Sequence, residues 1–212
     1  MFFNKHNENK PKEKIGIMGG TFDPIHYGHL VIAEQVRSKY NLDKVMFIPT
    51  GNPPHKEALG VTPSKHRYFM TLLATVTNSY FEVSRMEIEK DEISYTVNTL
   101  ECLKKENRDA ELFFITGADA ICQLDTWKNV EKLASLCKFI AATRPGHSSK
   151  EVTDKVNELR NQYDAEIEII DIPALAISST DIRGRVNKGH SIKYLLPEPV
   201  EYYIYKNHLY MD

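Results

Sequence analysis

Apolar residues in this chain gather into short runs, and longer stretches with helical periodicity lie between them. The runs are KIGIMG from Lys14, KVMFIP from Lys44, FEVSRMEI from Phe81, ELFFIT from Glu111, KFIAAT from Lys138 and EIEIIDIP from Glu166. Most are continuous rather than alternating, which is the pattern of strands covered on both faces. Helices are predicted over His29 to Tyr40, Lys65 to Thr77, Thr96 to Glu106, Val130 to Leu136 and Ser149 to Gln162, with Ser148 and Glu151 spaced as a capping box for the last. Strand, helix, strand repeated in this way predicts an α/β protein with a doubly wound parallel sheet. Ligands are then expected at the carboxyl ends of the strands. From Ile177 the pattern turns helical. The expected organisation is therefore a mobile tail over residues 1–13, a Rossmann-like core over 14–176 and a small C-terminal helical segment over 177–212 packed on that core.

Composition narrows the ligand. The chain has 212 residues, 42% hydrophobic and 26% charged, enough for a substantial core without a disulfide or metal staple. A formal net charge of -2 provides no general attraction to nucleic acid or to an anionic membrane, so neither is an expected partner. A polyanion must be met by a local cationic site, which suits small phosphorylated ligands. Cys102, Cys122 and Cys137 are far apart and form no CxxC pair, so buried reduced thiols are expected. No run is long enough to cross a bilayer, and the start lacks the apolar stretch of a secretory signal. A cytoplasmic protein is the expectation.

The segment GGTFDPIHYGHL, Gly19 to Leu30, follows the first strand. Gly19 and Gly20 let the backbone approach a ligand closely, and Pro24 stiffens the loop. His26 and His29 can both reach the N-terminus of the helix that follows, whose orphan N–H groups and partial positive charge suit phosphate. Two imidazole donors there complete an anion cradle. The bland alternative is a glycine turn with two surface histidines. A metal site is weaker, since no third ligand accompanies the pair, and neither GxGxxG nor a P-loop GK[ST] occurs.

A second segment, ISSTDIR from Ile177 to Arg183, offers Ser178, Ser179 and Thr180 at a helix start. Ser178 and Asp181 have capping-box spacing, and Arg183 lies one turn on as a permanent cation. Taken alone, a plain N-cap with a solvated arginine accounts for it equally well. Together, GGTFDPIHYGHL and ISSTDIR resemble the two signatures of the nucleotidyltransferase superfamily with the HxGH motif, whose members attack the α-phosphate of a nucleoside triphosphate and release pyrophosphate.

Within that superfamily, IPTGNPPHK from Ile48, ISYTVNT from Ile93, FITGAD from Phe114, WKNVEKL from Trp127 and ATRPG from Ala142 resemble strings of bacterial nicotinate-nucleotide adenylyltransferases. The resemblance covers about Lys14 to Tyr210. It implies transfer of AMP from ATP to nicotinic acid mononucleotide, in a Rossmann-like nucleotidyltransferase fold, with His26, His29, Lys56 and Arg183 as the catalytic set. The ATP side is implied to comprise Gly19, Gly20, Thr21, Phe22, His26, His29, Gly117, Asp119, Ile177, Ser178, Ser179, Thr180 and Arg183. Asp23, His55, Lys56, Thr96, Trp127 and Lys128 are implied on the mononucleotide side. For Asp119 a helix-capping role stays open, as does a packing role for Trp127, the only tryptophan. Arg144 is either a site-edge cation or a loop residue.

The implied reaction is an in-line displacement by a phosphate that is already a competent nucleophile, so positioning and electrostatics carry it and no general base is required. Mg²⁺ is expected to arrive with the ATP phosphates rather than at a dedicated protein site. A homodimer is admitted but no residue argues for it. Two alternatives remain: transfer to nicotinamide mononucleotide or phosphopantetheine, which would need a different acceptor pocket, and a non-catalytic nucleotide-binding module, which would need neither paired histidines nor a second clamp.

Overall fold

The structure is a computed structural model that describes residues 11–53, 60–143, 150–173 and 175–211. Six parallel strands form a single sheet in the order β3-β2-β1-β4-β5-β6. They are β1 (Lys14–Gly20), β2 (Lys44–Pro49), β3 (Phe81–Val83), β4 (Glu111–Gly117), β5 (Lys138–Thr143) and β6 (Ile167–Asp171). The winding reverses between β1 and β4, which pair over Lys14–Ile17 and Glu111–Phe114. That crevice is where a doubly wound sheet offers space for a ligand.

Each face of the sheet carries helices because the central strands bury side chains on both sides. On one face, Met18, Phe47, Ile115 and Ile140 pack with α1 (Tyr27–Tyr40), α2 (Ser64–Thr75), α7 (Ser179–Asn187) and α8 (Glu198–Lys206). On the other, Ile15, Ile17, Phe114 and Phe139 pack with α3 (Thr96–Glu106), α5 (Val130–Leu136) and α6 (Lys150–Tyr163). The C-terminal helices share the first core outright: Ile182, Val186, Ile192, Leu196, Val200 and Ile204 are buried in it with Val36 and Phe47.

Three boundaries differ from expectation, each for a local reason. FEVSRMEI pairs only as far as Val83, because Ser84 turns the chain and its hydroxyl accepts from Met86 N at 3.2 Å, which competes with the ladder. The helix expected from His29 begins at Tyr27, with His26 as its N-cap. Between β4 and α5 lie a four-residue helix, α4 (Ala118–Ile121), and a single 3₁₀ turn over Leu124–Thr126, both too short for any periodic signal. Ser148, the predicted capping residue of α6, lies outside the described residues, as do residues 1–10 of the expected tail. The cysteines are free thiols, with Cys137 buried and Cys102 and Cys122 partly so.

Candidate active site

The loop after β1 builds the centre of the site. His26 accepts from Gly28 N at 3.1 Å through its Nδ1, and His29 Nδ1 accepts from His26 N at 3.2 Å. An imidazole thus performs at each place the capping usually left to a hydroxyl or carboxylate. The two rings lie 3.8 Å apart at 32°, and Phe22 supports His29 edge-on at 5.2 Å. Because each Nδ1 accepts, a neutral ring must carry its proton on Nε2, so both present a donor away from the backbone. Gly28 makes this possible: a Cβ there would lie 2.9 Å from the His26 ring. Burial pulls His26 down to about 4. Burial, and then the neighbouring His26, pulls His29 down to about 3.

The orphan amides expected at the start of α1 are occupied within the protein. Tyr27 N donates to Leu195 O at 3.1 Å, Gly28 N to the His26 ring, and His29 N and Leu30 N to His26 O. What this terminus can offer an anion is therefore its dipole and the two Nε2–H groups. The second predicted segment stands beside it. Ser179 Oγ donates to Pro24 O at 2.8 Å, and Arg183 Nη1 donates to Asp23 O at 2.7 Å. Ser178 caps Asp181 N at 3.1 Å, as its spacing predicts. The reciprocal half of the box differs, since Asp181 is paired with Arg185 at 2.7 Å. The amides of Ser179 and Thr180 have no partner among the described residues, so the open helix N-terminus here is that of α7.

Two cavities flank this loop at the strand ends. The larger, about 1000 Å³, is lined by His26, His29, Gly117, Asp119, Lys155 and Ile177 among others. The smaller, about 530 Å³, is lined by Gly19, Gly20, Thr21, Thr96, Trp127 and Lys128 among others. Asp119 is exposed inside α4 and is not its N-cap, a position held by Gly117 with no side-chain bond, so the capping alternative does not apply. Trp127 packs edge-on against Phe114 at 5.7 Å while lining the smaller cavity. Its own N–H is taken by Leu124 O at 2.9 Å. Helix α3 opens towards the same cavity with no side-chain cap, and Thr96 is its first residue. Lys128 lies over the Tyr95 ring at 4.0 Å.

Asp23, predicted on the mononucleotide side, is 4% exposed and lines neither cavity. Its carboxylate accepts from Tyr210 at 2.6 Å and from Thr62 N at 3.2 Å. His55, Lys56 and Arg144 lie outside the described residues. Sequence reasoning overlooked Arg67, Glu87 and Tyr210. Arg67 carried a signal, because it stands on the buried stripe of α2 with Met70, Thr71 and Ala74. Glu87 gave none; its carboxyl, raised by burial, accepts from Thr99 at 2.6 Å and also from Ser94 and Gly51. Among the described residues no group of three or more His, Cys, Asp or Glu is placed to hold a metal ion.

Fold and site together define a doubly wound α/β nucleotidyltransferase, with two ligand-sized cavities on either side of the loop after β1 at the topological switch point. The family model described as Cytidylyltransferase-like matches residues 17–185. A relative from Thermoanaerobacter sp. (strain X514), called "probable nicotinate-nucleotide adenylyltransferase", is 54% identical over 93% of this chain and 94% of its own length. One of the same name from Streptomyces coelicolor is 50% identical over 91% of this chain and 98% of its own. The chain therefore belongs to the cytidylyltransferase-like family and, within it, to the nicotinate-nucleotide adenylyltransferases. A solved structure of the Plasmodium falciparum nicotinic acid mononucleotide adenylyltransferase complexed with NaAD shares the fold, with a TM-score of 0.74 at 24% identity, covering 93% of this chain and 97% of that one.

The lowered histidine pKa values predict a pH dependence of stability. Both folded values lie below the ordinary one, so the unfolded chain takes up these protons first as pH falls. The pair's contribution is complete above about pH 6.5 and is lost as pH falls through about 4 and about 3. Between pH 7 and pH 5 the wild type should lose on the order of 4 kcal/mol more stability than H26N/H29N, about 2 for each histidine, and the asparagines can still cap. Denaturant unfolding at several pH values measures this, and parallel pH profiles would refute the neutral assignment.

Proposed function

We propose that this chain transfers the AMP part of ATP to the phosphate of nicotinic acid mononucleotide, giving deamido-NAD and pyrophosphate. The observation that carries the reading is the pair of cavities joined by one loop, with His26 and His29 on one side and Trp127 on the other. The names of the relatives support the same acceptor, as do the Plasmodium falciparum structures complexed with NaAD and with APC. ATP occupies the larger cavity, its ribose near Gly117 and Asp119 and its phosphates between the histidine Nε2–H groups and the α7 terminus of Ser178, Ser179 and Thr180. Arg183 adds charge there. The mononucleotide occupies the smaller cavity, its pyridine on Trp127. Gly19, Gly20 and Thr21 then border the place where the two phosphates meet, and His55 and Lys56 hold the attacking one.

The reaction forms a bond from an acceptor phosphate oxygen to the α-phosphorus and breaks the bond to the bridging oxygen, and pyrophosphate leaves with that electron pair. Neutral Nε2–H donors lose little by desolvation before reaction and gain as charge builds on the α-phosphoryl oxygens. Mg²⁺ is proposed to arrive with the triphosphate, where it would help neutralise the phosphate oxygens. No helix among the described residues is long and apolar enough to cross a membrane. We assign the enzyme to the cytoplasm, where its nucleotide substrates are.

Label at the α-phosphate of ATP should pass to the dinucleotide, and γ-label should appear in pyrophosphate; ADP as the main product would refute the transferase reading. His26→Ala or His29→Ala should lower kcat by roughly two to three orders of magnitude with a smaller change in KM, as loss of an oxyanion donor does. Near-normal turnover in both variants would return the histidines to a capping role alone.

Acceptor choice cannot come from Trp127, because stacking treats carboxylate and carboxamide alike. The uncapped α3 terminus, the Thr96 hydroxyl and Lys128 all present donors or positive charge, which a carboxylate satisfies with both oxygens. An amide turns an NH₂ towards them, and an unpaired buried polar group costs on the order of 1–3 kcal/mol, with the lost charge adding more. The expected kcat/KM for nicotinic acid mononucleotide exceeds that for the nicotinamide form by at least about a hundredfold. Equal values would refute the acceptor assignment.

A further inference from the structure

One buried cation has no part in the chemistry above. Arg67 is 1% exposed, yet no carboxylate forms an ion pair with it among the described residues. Its guanidinium is satisfied by main-chain carbonyls instead: Nε donates to Thr62 O at 2.8 Å, Nη1 to Thr21 O at 2.8 Å and Nη2 to Gly51 O at 3.0 Å. Burying a charge this way is expensive unless every donor is used well, and one planar fork is what can reach three such oxygens.

These carbonyls belong to separate pieces of chain. Thr21 lies in the loop after β1 and lines the smaller cavity. Gly51 follows β2 between Thr50 and Pro53, which line the same cavity. Thr62 precedes α2, and its N–H meets Asp23. Gly51 is held from its other side too, because its N–H donates to Glu87, which accepts from Thr99 and is itself in the cavity wall. None of Arg67, Thr62, Gly51 and Glu87 lines the larger cavity. We propose that Arg67 is the positioning residue of the acceptor cavity, fixing the wall on which the mononucleotide lies relative to the phosphate-binding loop while leaving the ATP cavity alone.

This rests on the assignment of the smaller cavity to the acceptor, and the test separates the two ideas. Trp127 is the sole tryptophan and lines that cavity, so quenching of its fluorescence reports acceptor binding without catalysis. In R67K one ammonium replaces the three-way fork. The expected result is acceptor affinity and acceptor kcat/KM each reduced at least about tenfold, with equilibrium affinity for a non-hydrolysable ATP analogue changed less than about threefold. A variant that keeps Arg67 guards against loss of folding: G51A places a Cβ against the Glu87 carbonyl and shifts the Gly51 carbonyl from the fork, and it should show the same one-sided loss. Equal weakening of both ligands, or an unchanged acceptor side, in whichever of the two variants folds would overturn the proposal. Failure of the wild type to adenylylate nicotinic acid mononucleotide would refute the functional reading instead, since the binding split is read separately.

Discussion

Parallel strands end in loops whose carbonyl groups have no ladder partner, and the site depends on how those of the loop after β1 are satisfied. Thr21 O is taken by Arg67, Asp23 O by Arg183 and Pro24 O by Ser179. The donors come from α2 and from α7, remote in sequence from the loop and from each other. Each unsatisfied buried carbonyl would cost on the order of 1–3 kcal/mol. Arg67 of α2 therefore fixes the Thr21 end of the loop, which lines the smaller cavity, while Ser179 and Arg183 of α7 fix the Asp23–Pro24 end that leads to the histidines. Tyr210, near the end of the chain, closes the arrangement on the Asp23 carboxylate. The last helices are thereby part of the site, because the first loop cannot be held without them.

The same economy explains the histidines. A capping serine would have satisfied the α1 amides as well but would have presented nothing outward. An imidazole has two nitrogens about opposite each other, so one can accept from the backbone while the other donates into the cavity. Burial keeps the rings neutral, and because each Nδ1 accepts from a backbone N–H the remaining proton lies on Nε2. Capping and anion recognition are then one bonding arrangement, and Gly28 is required by it because a side chain there would strike the His26 ring.

How much of this was legible in the chain depended on the range of each interaction. Short apolar runs predicted all six strand positions, most plainly for β1, β4 and β5, whose central residues are buried in succession because both faces are covered. The end of β3 was not visible, because one serine hydroxyl decides it. His26, His29, Trp127 and Thr96 could be singled out as candidates because their motifs are contiguous, and each lines one of the two cavities. Asp23 was read as a ligand contact from its place in the motif; its partners Tyr210 and Thr62 are 187 and 39 residues away, and no local pattern announces them. Arg67 could have been noticed as a charge on the apolar stripe of α2, but its carbonyl partners could not.

Positioning has a further consequence for how the two halves of the site differ. The side proposed for ATP is built from groups that bond to one another, such as His26 with His29 and Ser178 with Asp181, so its geometry is largely settled within the chain. The side proposed for the acceptor is built on an uncapped α3, a Trp127 held at one edge and a wall suspended from Arg67 and Glu87. A helix terminus without a side-chain cap suits an anion, so on the proposed assignment a bound carboxylate would complete the wall as well as fill the cavity. An acceptor lacking that charge would leave the terminus hydrated and the wall less firmly set. If the proposed assignment holds, the pyridine carboxylate would contribute to alignment of the distant phosphate as well as to affinity, which is how binding energy at a non-reacting group is converted into rate.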